Sequence, residues 1–245
     1  MLPKQPNQSL IDGLACLQAL AVGHQMAGVR SLARELDLEP TRVHRLLKTL
    51  AHLGLAEQTA AGKYRPGPGV HVLAAQALYG SGLVRVATPI LDRLTDSLPT
   101  GVLVALGVLW RDQVCYLYHG SRAQMGAAAL GHSHLYPATR SGIGMVLLAQ
   151  QPESTIRQLY NHREIPGFSG ISNLLDELRQ LHAAGYADLT RAKNDRAVAV
   201  AISANFPAAL TLAGPLNSHT AQQVSTLRAV ASEIHQALTS YLKGS

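Results

Sequence analysis

Apolar residues recur at helical intervals in three stretches of the first fifty-four positions. Val43, Leu46, Leu47 and Leu50 fall at i, i+3, i+4 and i+7, while Arg42, His44, Arg45, Lys48 and Thr49 lie off that stripe. Thr41 to Leu50 is therefore a short helix with one buried and one basic side. Pro40 suits its first position, where a missing N–H costs nothing, and Gly54 stops the pattern. Upstream, Leu10, Leu14, Leu17 and Leu20 or Ala21 share the face of a helix capped by Ser9 and ended by Gly23. Behind Gly28, a shorter helix repeats Val29, Leu32, Ala33 and Leu36 and leaves Arg30, Ser31 and Arg34 outside; Asp37 to Glu39 then turn the chain. Helix, short helix, tight turn and basic helix is the helix-turn-helix order. Leu55–Gln58 and Lys63–Arg65 flank the turn residues Thr59–Gly62, a hairpin placed as a wing whose cations reach phosphates or the minor groove.

Pro66 to Gly69 break the pattern and mark a boundary. Val70 to Leu83 reads as a helix rich in Ala and Leu with almost no charge, which needs a partner: a second copy of itself, or its own C-terminal domain. Beyond it, a helix is expected over Arg85–Asp96, with Pro89 in its first turns or at a kink. Strands are expected over Val102–Leu109 and Val114–Tyr118, with a weaker one over Met125–Leu130. Helices follow over Gly142–Gln150, Glu153–Tyr160 and Asn173–Ala184, the last closed by Gly185; then strands over Ala197–Ile202 and Ala209–Ala213, and a long helix over Ala221–Leu242. The order is that of an α+β domain, a sheet with helices packed on it.

The formal charge of +6 sharpens the first part of this picture. Residues 1–67 carry eight Lys/Arg against five Asp/Glu, and residues 40–65 hold Arg42, Arg45, Lys48, Lys63 and Arg65 against Glu57 alone. Such a cluster neutralises several phosphates, or else is only a solvated face. Cys16 and Cys115 fit no zinc or redox spacing, which implies a reducing compartment. The N-terminus lacks the apolar core of a signal peptide, and the apolar run Gly101–Trp110 is far short of a membrane span, so a soluble, cytoplasmic protein without membrane contact is expected.

Enzyme chemistry finds little support. His132 and His134 in GHSH, with His119 or Asp112 at a distance, lack a defined ligand set, so no metal is expected. Ser141-Gly142-Ile143-Gly144 lacks the Lys-Ser/Thr of a phosphate loop and reads as a helix-capping turn; no cofactor is expected. There is no GxSxG elbow, and Cys115 falls in a buried strand. Arg191, Lys193, Asp195 and Arg196 read as a solvated loop.

Taken together, VRSLARELDLEPTRVHRLLKTLAHLGLAE, GKYRPGP with Gly62, Tyr64 and Gly67, LYPATRSGIGMVLLA, HAAGYAD, AVAVAIS and LTLAGP resemble the IclR family of bacterial transcriptional regulators over nearly the whole chain. The resemblance implies an N-terminal winged helix-turn-helix in residues 1–67, a linker helix in 68–84, and a GAF-like effector-binding and oligomerisation domain in 85–245. It implies a dimer or tetramer acting mostly as a repressor of operator DNA under a small-molecule effector, often a carboxylate. Thr41, Arg42, His44 and Arg45 would meet base edges, and Arg30, Ser31, Lys48, Thr49, Lys63 and Arg65 would contact phosphate. Gly142 and Ile143 would offer backbone N–H groups to the effector carboxylate. Leu189 stands where the family commonly has an acidic side chain (Asp188 is one step away), Ala199 where it has cysteine, and Thr211 and Ala213 where it has hydroxyls. A pocket so changed is more apolar, and a carboxylate buried there without donors is costly. Three readings stay open: a less polar ligand, polar contacts from Arg140, His132 or His134, or a vestigial pocket. A regulator whose second domain only oligomerises and a small-molecule enzyme are the rivals.

Overall fold

The computed structural model describes residues 6–22, 26–122, 135–161, 163–192, 195–203, 206–216 and 219–244. They form two compact units divided between Ser81 and Gly82, which leaves the linker helix in the first unit. That unit is built from α1 (Gln8–Val22), α2 (Val29–Leu36) and α3 (Pro40–His52), which enclose Cys16, Leu20, Leu32, Val43, Leu47 and Tyr64. The α3 stripe packs as its spacing predicts, and Asp37 makes the turn before it in the left-handed region at φ 52°.

Two expectations for α1 are corrected. Asn7 rather than Ser9 caps the helix, its Oδ1 accepting the Leu10 amide at 3.1 Å. The buried side is Asp12, Cys16 and Leu20, while Leu10 and Leu14 stay 62% and 54% exposed. A charged residue turns inward because Arg42 of α3 compensates it at 2.7 Å. The displaced leucines line an open groove of about 810 Å³ with Leu46 and Leu53.

The hairpin β1 (Ala56–Gln58) and β2 (Tyr64–Pro66) pairs antiparallel with Glu57 opposite Arg65. Tyr64 is fully buried, and its backbone exchanges hydrogen bonds of 2.8 and 2.9 Å with Ala27, which fastens the hairpin to the segment leading into α2. Gly67 follows because a Cβ there would stand 2.4 Å from the Gly54 carbonyl oxygen. The next helix, α4 (Pro68–Ser81), buries none of its residues, and Val72 and Leu73 are each more than half exposed.

The second unit is one antiparallel sheet of six strands in the order β5-β4-β3-β8-β7-β6, formed by β3 (Leu103–Trp110), β4 (Gln113–Ser121), β5 (Tyr136–Pro137), β6 (Ala187–Ala192), β7 (Asp195–Ser203) and β8 (Phe206–Gly214). On one face α5 (Leu83–Ser97) and α9 (Thr220–Lys243) bury Val104, Leu106, Val198, Val200, Leu210 and Leu212. On the other, α6 (Gly142–Leu148) and α8 (Ile171–Ala184) pack on the sheet with α7 (Glu153–Leu159) beside α8. Pro89 stands in the second turn of α5. The expected strand Met125–Leu130 lies outside the described residues, as do His132, His134 and Lys193.

The charged run is not a free loop. Arg196, in β7, donates to Asp188 Oδ2 at 2.6 Å and to Thr220 Oγ1 at 2.7 Å, and Thr220 donates to the same carboxylate at 2.9 Å. Asp188 and Arg196 thus join β6 and β7 to the start of α9. Among the described residues, no helix is long and apolar enough to cross a membrane.

Candidate nucleic-acid interface and ligand site

At about 100° per residue, α3 turns Val43, Leu47 and Leu50 inward and directs Thr41, Arg45, Lys48 and His52 to the opposite side. His44 flanks that exposed side on one edge, and Arg42, Thr49 and Leu53 flank it on the edge toward α1. Thr41, Arg42, His44, Arg45, Lys48 and Thr49 are all exposed, as are Arg30, Ser31, Lys63 and Arg65. Their partners differ. Lys48 Nζ donates to Gln58 Oε1 of the wing at 3.1 Å, and Thr49 Oγ1 donates to the Arg45 carbonyl within its own helix at 3.0 Å. Ser31 Oγ bonds back to the Gly28 carbonyl at 2.8 Å. Arg65 pairs with Glu57 across the wing at 2.7 Å, and Arg42 pairs with Asp12. The sequence pattern overlooked His52, a fourth-turn member of the exposed side.

In the second unit, the face under α6 is floored by small side chains. Register places His119, Ala105, Thr211, Ala199 and Ala187 in one row across β4, β3, β8, β7 and β6. Ser121, Leu103, Ala213, Ala197 and Leu189 make the next row. The start of α6 comes down on this floor: a Cβ on Gly142 would stand 3.1 Å from Ala199 Cβ and 3.6 Å from Thr211 Oγ1. Gly142, Ile143, Ala199 and Thr211 are therefore brought together, with Ala213 and Leu189 one row away. Thr211 already donates its hydroxyl to the Val198 carbonyl at 2.9 Å. Arg140 is not with them; it is exposed, its Cγ 4.0 Å from where a Gly167 Cβ would sit. Asp188 points to the opposite face with Arg196, so Leu189, like Ala187, faces α6 from β6.

Three polar groups of this face were not singled out for it from sequence. Tyr116 Oη lies 3.1 Å from Oγ of the buried Ser141, and the Tyr116 and His119 rings meet edge to face with centroids 6.2 Å apart. Strict alternation would send residues 116 and 119 to opposite faces. An irregularity between Leu106 and Gly107 leaves Leu117 as the extra residue on β4, and both rings face α6. Burial pushes the Cys16 and Cys115 thiols up, which leaves them poor nucleophiles.

Residues 9–60 match the IclR helix-turn-helix domain, and residues 75–237 match the domain described as bacterial transcriptional regulator IclR, C-terminal. The chain belongs to the IclR family of bacterial transcriptional regulators. It is 30% identical over 188 residues to the HTH-type transcriptional regulator BhcR of Paracoccus denitrificans, covering 74% of this chain and 66% of that one. Against the acetate operon repressor of Salmonella typhimurium the identity is 26% over 236 residues, covering 91% and 85%. The fold is shared with an IclR homolog from Microbacterium hydrocarbonoxydans solved with 4-hydroxybenzoate, at TM-score 0.68, 22% identity and 95% and 99% coverage. Within that family, α1, α2 and α3 fall in the helix-turn-helix domain, and the α6-covered sheet falls in the C-terminal domain.

Proposed function

We propose that this IclR-family chain is a homodimeric or homotetrameric repressor that reads operator DNA through α3 and the wing and is released by a small molecule held between α6 and the sheet. The observation that carries the reading is the exposed basic side of α3 beside a hairpin bearing Lys63 and Arg65, in a unit matching the family's DNA-binding domain. Thr41, His44 and Arg45 are the base-edge candidates; Arg30 and Lys63 are the better phosphate contacts, because Ser31, Lys48, Thr49 and Arg65 already bond within the unit. The apolar helix α4, which buries none of its residues, supports self-association, which would set two α3 helices at a fixed spacing on a two-fold site.

The alanine floor with Tyr116, His119 and Ser141 at one edge favours a small, largely apolar ligand with one polar end. The Microbacterium homolog was solved with 4-hydroxybenzoate, a small aromatic ring with a carboxylate at one end and a hydroxyl at the other, which makes it a first probe for this chain. The proposed action is binding alone: a ligand held differently by two arrangements of the oligomer shifts their populations, with coupling of about 1–3 kcal/mol. The close seating of Gly142 on Ala199 favours a second reading, a regulator whose α6 face takes no ligand. Promoter fragments retained by the purified protein at moderate salt identify the operator. Titrating 4-hydroxybenzoate and a metabolite panel into the protein and into that complex then decides between readings. Unequal affinities support the first, equal affinities exclude coupling, and no thermal shift with any compound supports the second.

A further inference from the structure

Among the described residues, Asp12 is the one acidic side chain buried to as little as 5% exposure. It faces α3 from the middle of α1, on the side that also buries Cys16 and Leu20. A carboxylate in such surroundings is tolerated only where its charge is met. Gln8 Nε2 donates to Oδ1 at 2.7 Å, but Oδ2 accepts no aligned hydrogen bond and is met instead by the Arg42 guanidinium at 2.7 Å. Arg42 stands at the start of α3, on the edge toward α1, and its side chain is still 42% exposed. An arginine there reaches either a phosphate or Asp12, and the ion pair has taken it to α1. Removing Asp12 would free a cation beside Thr41 and Arg45.

We propose that Asp12 is a positioning residue for DNA recognition, whose carboxylate withholds Arg42 from the duplex so that Arg45 and Lys48 meet it without Arg42. The inference rests on the DNA-binding reading above. It sets affinity and its salt dependence below what the count of arginines on α3 would give, since a guanidinium already neutralised within the protein displaces no counterion from DNA. It also moves base reading toward Thr41, His44 and Arg45.

The test uses the full chain and a fluorescein-labelled 30-base-pair duplex of random sequence, with affinity followed from 50 to 200 mM KCl. D12N is expected to steepen the slope of log affinity against log salt by about 0.9, the value of one added phosphate contact, so that its affinity falls about 3.5-fold more than that of the wild type across this range. D12N/R42A returns to the wild-type slope, and E35Q, which adds the same unit of charge on α2 without freeing Arg42, keeps it. A D12N slope equal to that of a binding wild type overturns the proposal alone, and a wild type that binds no duplex overturns the DNA-binding reading with it. D12L/R42L keeps the α1–α3 contact filled and net charge unchanged, and carries the test if D12N does not fold. A wild-type slope supports the proposal; a slope shallower by about 0.9 shows that Arg42 already contacts phosphate and overturns it.

Discussion

Gly144→Ala tests how tightly α6 is seated. All seven residues of α6 are buried, and its third residue passes so close to the preceding turn that a Cβ would stand 2.2 Å from the Ala138 carbonyl oxygen, 2.4 Å from its Cα and 2.6 Å from its carbonyl carbon. Ordinary contact begins about 1.2 Å farther out, and the obstruction is backbone, itself held by the bond from Ala138 N to the Asp112 carbonyl at 2.9 Å. The helix must therefore lift from the sheet, loosening Ile143, Met145 and Leu147. Overpacking of this kind costs about 1–3 kcal/mol, and losing the bond from the Gly144 amide to Ser141 Oγ adds about 1 kcal/mol. A loss of about 3 kcal/mol lowers the calorimetric midpoint of a unit this size by about 6–12 °C. Duplex affinity, which resides in the first unit, should not change. Gly80→Ala is the control: that glycine lies exposed in α4 with nothing within 4 Å of its Cβ position, so alanine should stabilise by about 0.5–1 kcal/mol. Unfolding of G144A within 0.5 kcal/mol of wild type would refute the close seating of α6.

Tyr118 donates to Asp92 at 2.7 Å beneath α5, with Thr95 Oγ1 at 3.1 Å, and burial pushes its phenol up to about 12. The folded state thus favours the neutral phenol; stability is whole below pH 10, where an unfolded tyrosine ionises, and falls toward pH 12 by about 1.4 kcal/mol per unit. Y118F should lose about 1–2 kcal/mol at neutral pH and show a shallower alkaline decline in urea titrations. Gly82, at φ +64°, has the Tyr241 ring 2.4 Å from its Cβ position, so G82A should destabilise by about 2 kcal/mol or more, and Y241A should relieve the clash but not the roughly 1 kcal/mol of left-handed strain. In gel shifts, R45A should lose about 1–3 kcal/mol of discrimination at one base pair, whereas K63A should weaken all duplexes alike and reduce the salt slope by about 1.

The elements that a sequence reader finds here are those whose burial follows a simple period. The leucine stripe of α3 and the apolar runs of β3 and β7 report their own environment, and their partners need not be known. β6 is hard to read because the alternation in ADLTRA is confined to Ala187 and Leu189 and is followed at once by charge: Asp188, between them, turns to Arg196 and Thr220, a relation visible only once three distant segments meet. The same holds for α1, where the leucines suggest one inward face and Asp12 claims another through an arginine thirty positions later. At the proposed ligand site, the resemblance points to Gly142, Ala199 and Thr211, which the fold brings together, but Tyr116 and His119 reach the same face only through an extra residue in β4, for which a single sequence carries no signal.

The two hydrogen bonds between Ala27 and Tyr64 have a kinetic and entropic meaning for recognition. They make the wing part of the same stiff body as the helices, so its order is set when the chain folds and not when DNA arrives. A wing that had to be ordered on contact would cost roughly 1–2 kcal/mol for each residue immobilised, and would slow the encounter while it formed. On the proposed reading, a wing already fastened by these bonds would not add that ordering to the association step. On that reading an effector would gain little by loosening such a reader and would work through the distance between two copies.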